Sequence, residues 1–193
     1  MDVIGGILGA FGLSASAGLN AYIPLLIISL LAKFTNLIQL SKPWDALTSW
    51  WTIGVLVVLA LIEFFADKIP AVDHINDAIQ TFIRPTAGAI LFAASAKAIT
   101  DIHPVISVIA GLLVAGSVHT VKSAAVRPLI TASTAGAGDP VVSFIEDIVA
   151  TLVSVLSVVL PILMIIVLVL IVWWINWILD QNKEHKATSL KTQ

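Results

Sequence analysis

Three apolar runs in the middle of the chain are too short for the task their composition assigns to them. Ala46–Ile62, Pro85–Ala96 and Pro104–Val118 hold 17, 12 and 15 residues, whereas a helix needs roughly 20 to cross a bilayer. With 59% hydrophobic residues, 11% charged residues and a mean hydropathy of +1.03, the chain has too little polar surface to cover a water-soluble globule. It reads as an integral membrane protein. Each short run that crosses must then draw flanking ionisable groups to membrane depth: Glu63 and Asp67, Arg84 and Lys97, His119 and Lys122.

The end runs have the opposite problem. Val3–Ala32 and Ile148–Ile178 hold 30 and 31 uncharged residues, about 45 Å as straight helices. In the first, "GLSASAGLNAYIPLL" predicts a break, carrying Ser14, Ser16, Gly18, Asn20 and Pro24, with Pro24 removing a backbone donor and clashing with the preceding turn. In the last, Pro161 kinks or divides the helix. The expected fold is all-α and polytopic: about five spans, or six as the alternative, with proline-broken or re-entrant helices and Val141–Val153 partly a separate amphipathic or re-entrant segment. Residues 1–179 form one transmembrane domain and 180–193 a polar tail. Trp44, Trp50, Trp51, Trp173, Trp174 and Trp177 suit the membrane interface. Lysine placement on the five-span map puts the C-terminus in the cytoplasm, and six spans reverse it.

Several function classes drop out. No Lys or Arg precedes the first apolar run, so a cleaved signal is not expected. Without cysteine there is no disulfide, thiolate zinc site, iron–sulfur cluster or cysteine nucleophile. The histidines, His74, His103, His119 and His185, are scattered, so neither a metal set nor a cofactor is expected. No basic patch interleaved with aromatics suggests nucleic acid. "AGAGDP" at 135–140 carries the Gly-Ala-Gly-Asp of intramembrane aspartyl proteases, but the second, Tyr-Asp motif is absent, and Asp139 before Pro140 reads as a turn and helix start. No nucleophile–base arrangement is visible, which leaves an intramembrane hydrolase as the weakest reading.

What remains is charge. Glu63 and Asp67 are four apart on one helical face, and so are Asp73 and Asp77. In "VDHINDAIQTFIRP", Val72, Ile75, Ile79 and Phe82 oppose Asp73, Asn76, Asp77, Gln80 and Arg84, an amphipathic stripe that also suits a helix lying flat on a membrane. "HTVKSAAVR" supplies His119, Lys122 and Arg127, with Arg127 about 140° round a regular helix from Lys122; the same cluster suits contact with lipid phosphates. Glu146 and Asp147 need partners from elsewhere. Glu63, Asp67, Lys68, Asp73, Asp77, Glu146 and Asp147 are the candidate coupling and charge-pairing groups. Arg84, His119, Lys122 and Arg127 are the candidate substrate-binding groups.

Two echoes run along the chain: "AYIPLLI" at 21–27 with "AVRPLIT" at 125–131, and 72–83 with 142–153. They suggest an internal, inverted repeat of the kind that builds transport sites from discontinuous helices, with half-helices around Pro24 and Pro128. Gly88, Ala89, Ala93, Ala94, Gly111 and Ala115 fit close helix packing, and self-association into a homo-oligomer stays open.

The glycine- and serine-rich "GLSASAGLNAYIPLL", then "IEFFADKIPAVDHINDAIQTFIRPTAGAIL", then "HTVKSAAVRP" with "SFIED" resemble a family of small bacterial membrane proteins known only as a domain of unknown function. The likeness covers most of residues 5–150. It implies an integral membrane protein of the bacterial inner membrane and lends no activity. The residues themselves lead to a small transporter or lipid translocase for an anionic, phosphate-bearing substrate, proton- or cation-coupled. The alternative is a non-transporting scaffold in which the same charges are structural pairs.

Overall fold

The computed structural model describes the backbone of residues 3–99 and 102–161, and their side chains other than those of 3, 70–74 and 97–99. The described residues are helical, with no strand among them. In order come α1 (Val3–Leu19), α2 (Tyr22–Phe34), a 3-10 turn (Trp44–Thr48), α3 (Trp50–Ala66), α4 (Pro70–Ile99), α5 (Pro104–Val121), a π turn (Lys122–Val126), α6 (Arg127–Thr134) and α7 (Asp139–Val159). Helix α1 is the axis of the bundle, packed against α4, α5 and α7, while α2 lies against α3 and α7.

The predicted break in the first run is present, and Asn20 makes it. Its Oδ1 accepts from the backbone N–H of Tyr22 at 3.1 Å and of Ile23 at 3.0 Å, so the side chain caps the start of α2. Pro24 falls in the first turn of α2, where a missing N–H leaves no helical bond unmade. Ser49 caps α3 in the same way, accepting from Thr52 N at 3.1 Å.

The other boundaries correct the sequence reading. Residues 72–84 and the apolar run 85–96 are one 30-residue helix, α4, with Pro85 inside it. Proline removes a single helical bond, and the small face that follows is held between neighbours: Ser14 Oγ donates to the Gly88 carbonyl at 2.6 Å. Val141–Val153 is no separate segment but the body of α7, which ends at Val159 with Leu160 leaving helical geometry just before Pro161; the apolar run beyond 161 lies outside the described residues. At Pro128 there are no half-helices. The chain runs unbroken from Pro104 to Thr134, because Pro128 sits in the first turn of α6 and the π turn before it absorbs the change of pitch. After α6, Ala135 (φ 52°) and Gly136 (φ 84°) turn the chain left-handed into α7.

Glycines set the closest approach. A Cβ on Gly88 would collide with the Ala115 Cβ, and one on Gly111 with the Gly88 carbonyl, so α4 and α5 meet backbone to backbone. A Cβ on Gly9 would stand 2.6 Å from the Ser157 carbonyl of α7.

The bundle is inside out. Helix α7 buries Ser143, Glu146, Asp147, Ser154 and Ser157 and turns Phe144, Ile145, Ile148, Leu152 and Val155 outward. Trp51 is 87% exposed and Phe82 78%, while Arg84 is 0% exposed. The helices Pro104–Thr134 and Asp139–Val159 are long and apolar enough to cross a membrane, and Ile4–Leu19, Tyr22–Phe34 and Trp50–Ala66 are shorter apolar helices.

Candidate functional site

Ten of the eleven residues singled out by the sequence gather at one place in the bundle; the side chain of Asp73, and the C-terminal tail, lie outside the described residues. Arg84, on α4, is the centre. Its Nη2 is 3.1 Å from Glu63 Oε1 and 3.7 Å from Asp67 Oδ2, and its Nη1 is 3.5 Å from Asp77 Oδ1. Glu63 and Asp67 are stacked one turn apart at the end of α3, and their mutual repulsion is offset by a guanidinium that reaches both.

Arg127 repeats the arrangement from α6. Its Nη2 is 3.1 Å from Glu146 Oε2 and 3.8 Å from Asp67 Oδ2, its Nη1 3.9 Å from Asp77 Oδ2, and it donates to Ser143 Oγ at 2.9 Å. Asp67 and Asp77 therefore each bridge two arginines. Lys122 Nζ lies 2.8 Å from the same Glu146 Oε2. The π turn explains this convergence. On a regular helix Lys122 and Arg127 would diverge, but the Arg127 N–H bonds back to the Lys122 carbonyl, so five residues make about one full turn and both cations point the same way.

Lys122 also donates to the Leu19 carbonyl at 3.0 Å, an acceptor left open where α1 stops. Asn20, on the other side of that stop, donates from Nδ2 to Asp147 Oδ1 at 3.0 Å. Backbone groups freed by the broken helix are thus satisfied by the protein itself. Asp147 is completed by Lys68 Nζ at 3.2 Å, which also caps the Phe64 carbonyl at 3.0 Å and lies 3.3 Å from the Phe64 ring centroid.

His119 takes a role that its residue type did not announce. Arg84 Nη1 is 3.0 Å from its Nδ1, and a guanidinium has only donors, so Nδ1 accepts. Nε2 then carries the hydrogen and donates to Thr81 Oγ1 at 3.1 Å, whose own hydrogen goes to the Asp77 carbonyl at 2.9 Å. The ring is neutral and orients Arg84.

The chain matches the family model described as Domain of unknown function (DUF4126) over residues 7–181. It belongs to this family. No curated protein and no solved structure matches the chain. The DUF4126 match runs from α1 past α7, so the whole charged cluster lies inside it, and it extends beyond the residue 150 at which the resemblance had been drawn.

Four members of the cluster were not singled out as site residues in this DUF4126 chain: Asn20, Asn76, Thr81 and Ser143. Asn76 donates to Asp67 Oδ1, and Ser143 donates to the Asp67 carbonyl at 3.1 Å. Asn76 and Thr81 carried a signal, being on the same segment as the polar stripe of 72–84. Ser143 carried only its spacing, three residues before Glu146. Asp139, read as a helix start, opens α7 and accepts from Thr131 Oγ1 at 2.9 Å. An open, almost wholly apolar cleft of about 520 Å³ between α5 and α7 is lined by Leu19, Val118, Val121 and Val149, with Lys122 and Glu146 also among its lining residues.

Proposed function

We propose that the protein is a polytopic helical transporter or lipid translocase of the bacterial cytoplasmic membrane. One observation carries the reading: four cations, of which Arg84, Lys122 and Arg127 are buried, face five carboxylates, of which Glu63, Asp67, Glu146 and Asp147 are buried, inside a bundle whose outer surface is apolar. Membrane placement is supported by that inversion of polarity. The core helix of a soluble protein is mostly buried, yet the apolar windows of Pro104–Thr134 and Asp139–Val159 are only 22% and 39% buried. That α7 alone is long enough to cross supports the six-span alternative. The repeat proposal has one support: the matched positions Asp77 and Asp147 both belong to the cluster.

In this reading an anionic group displaces Glu146 from Lys122 and Arg127, whose two nitrogens already converge on one oxygen. The apolar cleft, with Lys122 among its lining residues, fits an amphiphile, with its chain against Val118 and Val149 and its head at Lys122. Purified protein in proteoliposomes tests this with two probes, labelled inorganic phosphate and a fluorescent anionic phospholipid. Transfer of either one that falls at least tenfold in Lys122→Met and Arg127→Lys supports the reading. Unchanged transfer in both variants removes those residues from the mechanism.

A second reading, a membrane scaffold, has its own observation: each of Lys68, Arg84, Lys122 and Arg127 already has a carboxylate within 3.2 Å. It expects no transfer of either probe, with charge variants affecting folding alone.

A further inference from the structure

Among the described side chains, the charges of the cluster do not balance. Lys68, Arg84, Lys122 and Arg127 stand against Glu63, Asp67, Asp77, Glu146 and Asp147, and His119 is neutral because its Nδ1 accepts from Arg84. Ionised throughout, these described groups sum to −1; Lys68 and Asp77 are half-buried at the edge and the others are buried, where an uncompensated charge is strongly unfavourable. A bound proton removes the excess.

Contacts decide which carboxylate holds it. Asp67 has Arg84, Arg127 and Asn76; Asp77 has Arg84 and Arg127; Glu146 has Lys122 and Arg127; Asp147 has Lys68 and Asn20. Each has two or more donors. Glu63 is 1% exposed, its Oε1 is held by Arg84 alone, and its Oε2 is buried with no donor at all. A second buried oxygen, Gln80 Oε1, also lacks a donor; Gln80 is 2% exposed and one turn before Arg84 on the same face of α4. The Tyr22 phenol from α2 is within electrostatic reach of Glu63 and Arg84.

We propose that Glu63 is the proton-binding site of the cluster, held as a neutral carboxylic acid that accepts from Arg84 through Oε1 and carries its hydrogen on Oε2. The groups facing it are Asp67 on its own helix, Arg84 and Gln80 on α4, Tyr22 on α2 and Lys122 on the π turn. When the proton leaves for solvent, Glu63 becomes the strongest competitor for Arg84. An anion arriving at Lys122, which also faces Glu63, weakens that cation's hold on the ionised carboxylate and so favours the protonated form, and by linkage the proton favours the anion. This coupling rests on the transport reading and makes it proton–anion symport; the proton site itself does not.

Infrared spectroscopy of the purified full-length protein at neutral pH tests the site. A buried carboxylic acid gives a C=O band separate from carboxylate absorption and displaced in D2O. The band is expected in the wild type and in Asp45→Asn, which lies outside the cluster, moved in Glu63→Asp, and lost in Glu63→Gln. Because glutamine resembles the neutral acid, Glu63→Gln is expected to melt with the wild type. Absence of the band in the wild type, as when water rather than a proton satisfies Oε2, overturns the proposal, and so does its persistence unmoved in Glu63→Asp, the variant that serves if Glu63→Gln does not fold. In proteoliposomes with labelled phosphate, Glu63→Gln is expected to keep exchange but lose accumulation driven by a proton gradient. Should neither phosphate nor phospholipid move while the band behaves as expected, the transport reading fails and the proton site stands.

Discussion

Arg84 Nη2 lies 3.1 Å from Glu63 Oε1, and the two side chains are 0% and 1% exposed. A buried pair of this kind adds little net stability over a well-packed apolar pair, but removing one partner strands the other. Arg84 is moreover shared, since Asp67 and Asp77 also face it. The consequences of losing it therefore spread over α3 and α4 and, through His119, to α5.

Replacing Arg84 with methionine keeps the volume and removes the charge. The expected loss is about 3–5 kcal/mol, measured by unfolding in mixed micelles. Arg84→Lys retains charge without the fork that spans Glu63 and Asp77 and is expected to lose less than half as much. Equal stabilities for the two variants would contradict a charge-centred role.

Lys68 and Asp147, 3.2 Å apart, are the pair most separable from the rest. Lys68→Asp and Asp147→Lys are each expected to destabilise, and the double exchange to recover part of the loss, with a coupling of about 1–2 kcal/mol. The corresponding exchange of Asp77 and Arg84 is expected to fail, because an aspartate at 84 would face Glu63 and Asp67. Comparing melting curves of the two double variants checks this.

Gly88 and Gly111 mark the α4–α5 crossing, where an added Cβ meets backbone or Ala115. Gly88→Ala and Gly111→Ala are expected to cost about 1–3 kcal/mol each through overpacking. Gly54 has nothing within 4 Å of an added Cβ, so Gly54→Ala is expected to be neutral or to stabilise by up to about 1 kcal/mol through helix propensity. Reversal of that order would mean the helices do not meet as described.

Deleting Ala124 shortens the π turn by one residue and favours regular α-helix across it. Lys122 and Arg127 then no longer converge on Glu146 Oε2. The deletion is expected to destabilise more than Ala124→Gly, which keeps the register. Melting temperature measured alongside Glu146→Gln reads the effect: if the lost convergence is the cause, the deletion and Glu146→Gln together fall short of the sum of their separate losses.

Much of the cluster was legible because a burial rule acts locally. Short apolar runs flanked by Glu63, Arg84, His119 and Lys122 announce that those groups go inward, and Asn20 with Pro24 announces a break without reference to the rest of the molecule. Which way a proline acts is less local. Pro24 and Pro128 sit in similar sequence echoes, yet one follows a capped break and the other a continuous π turn, because the surrounding helices supply different partners for the freed backbone groups.

By itself, the sequence determined the helical class, the inward fate of the ionisable residues and a break within residues 12–26, since hydropathy, charge and the backbone preferences of glycine, serine and proline depend on near neighbours. Only the tertiary structure decided who pairs with whom. Arg127 reaches Glu146 and Asp67 because a π turn alters the helical phase and the bundle brings α3, α6 and α7 together, and Glu63 is left with a bare oxygen because no described donor is aimed at it. Electrostatic pairing acts over a few ångströms through space, and distances of that size between residues 60 or 80 positions apart exist only once the helices have packed.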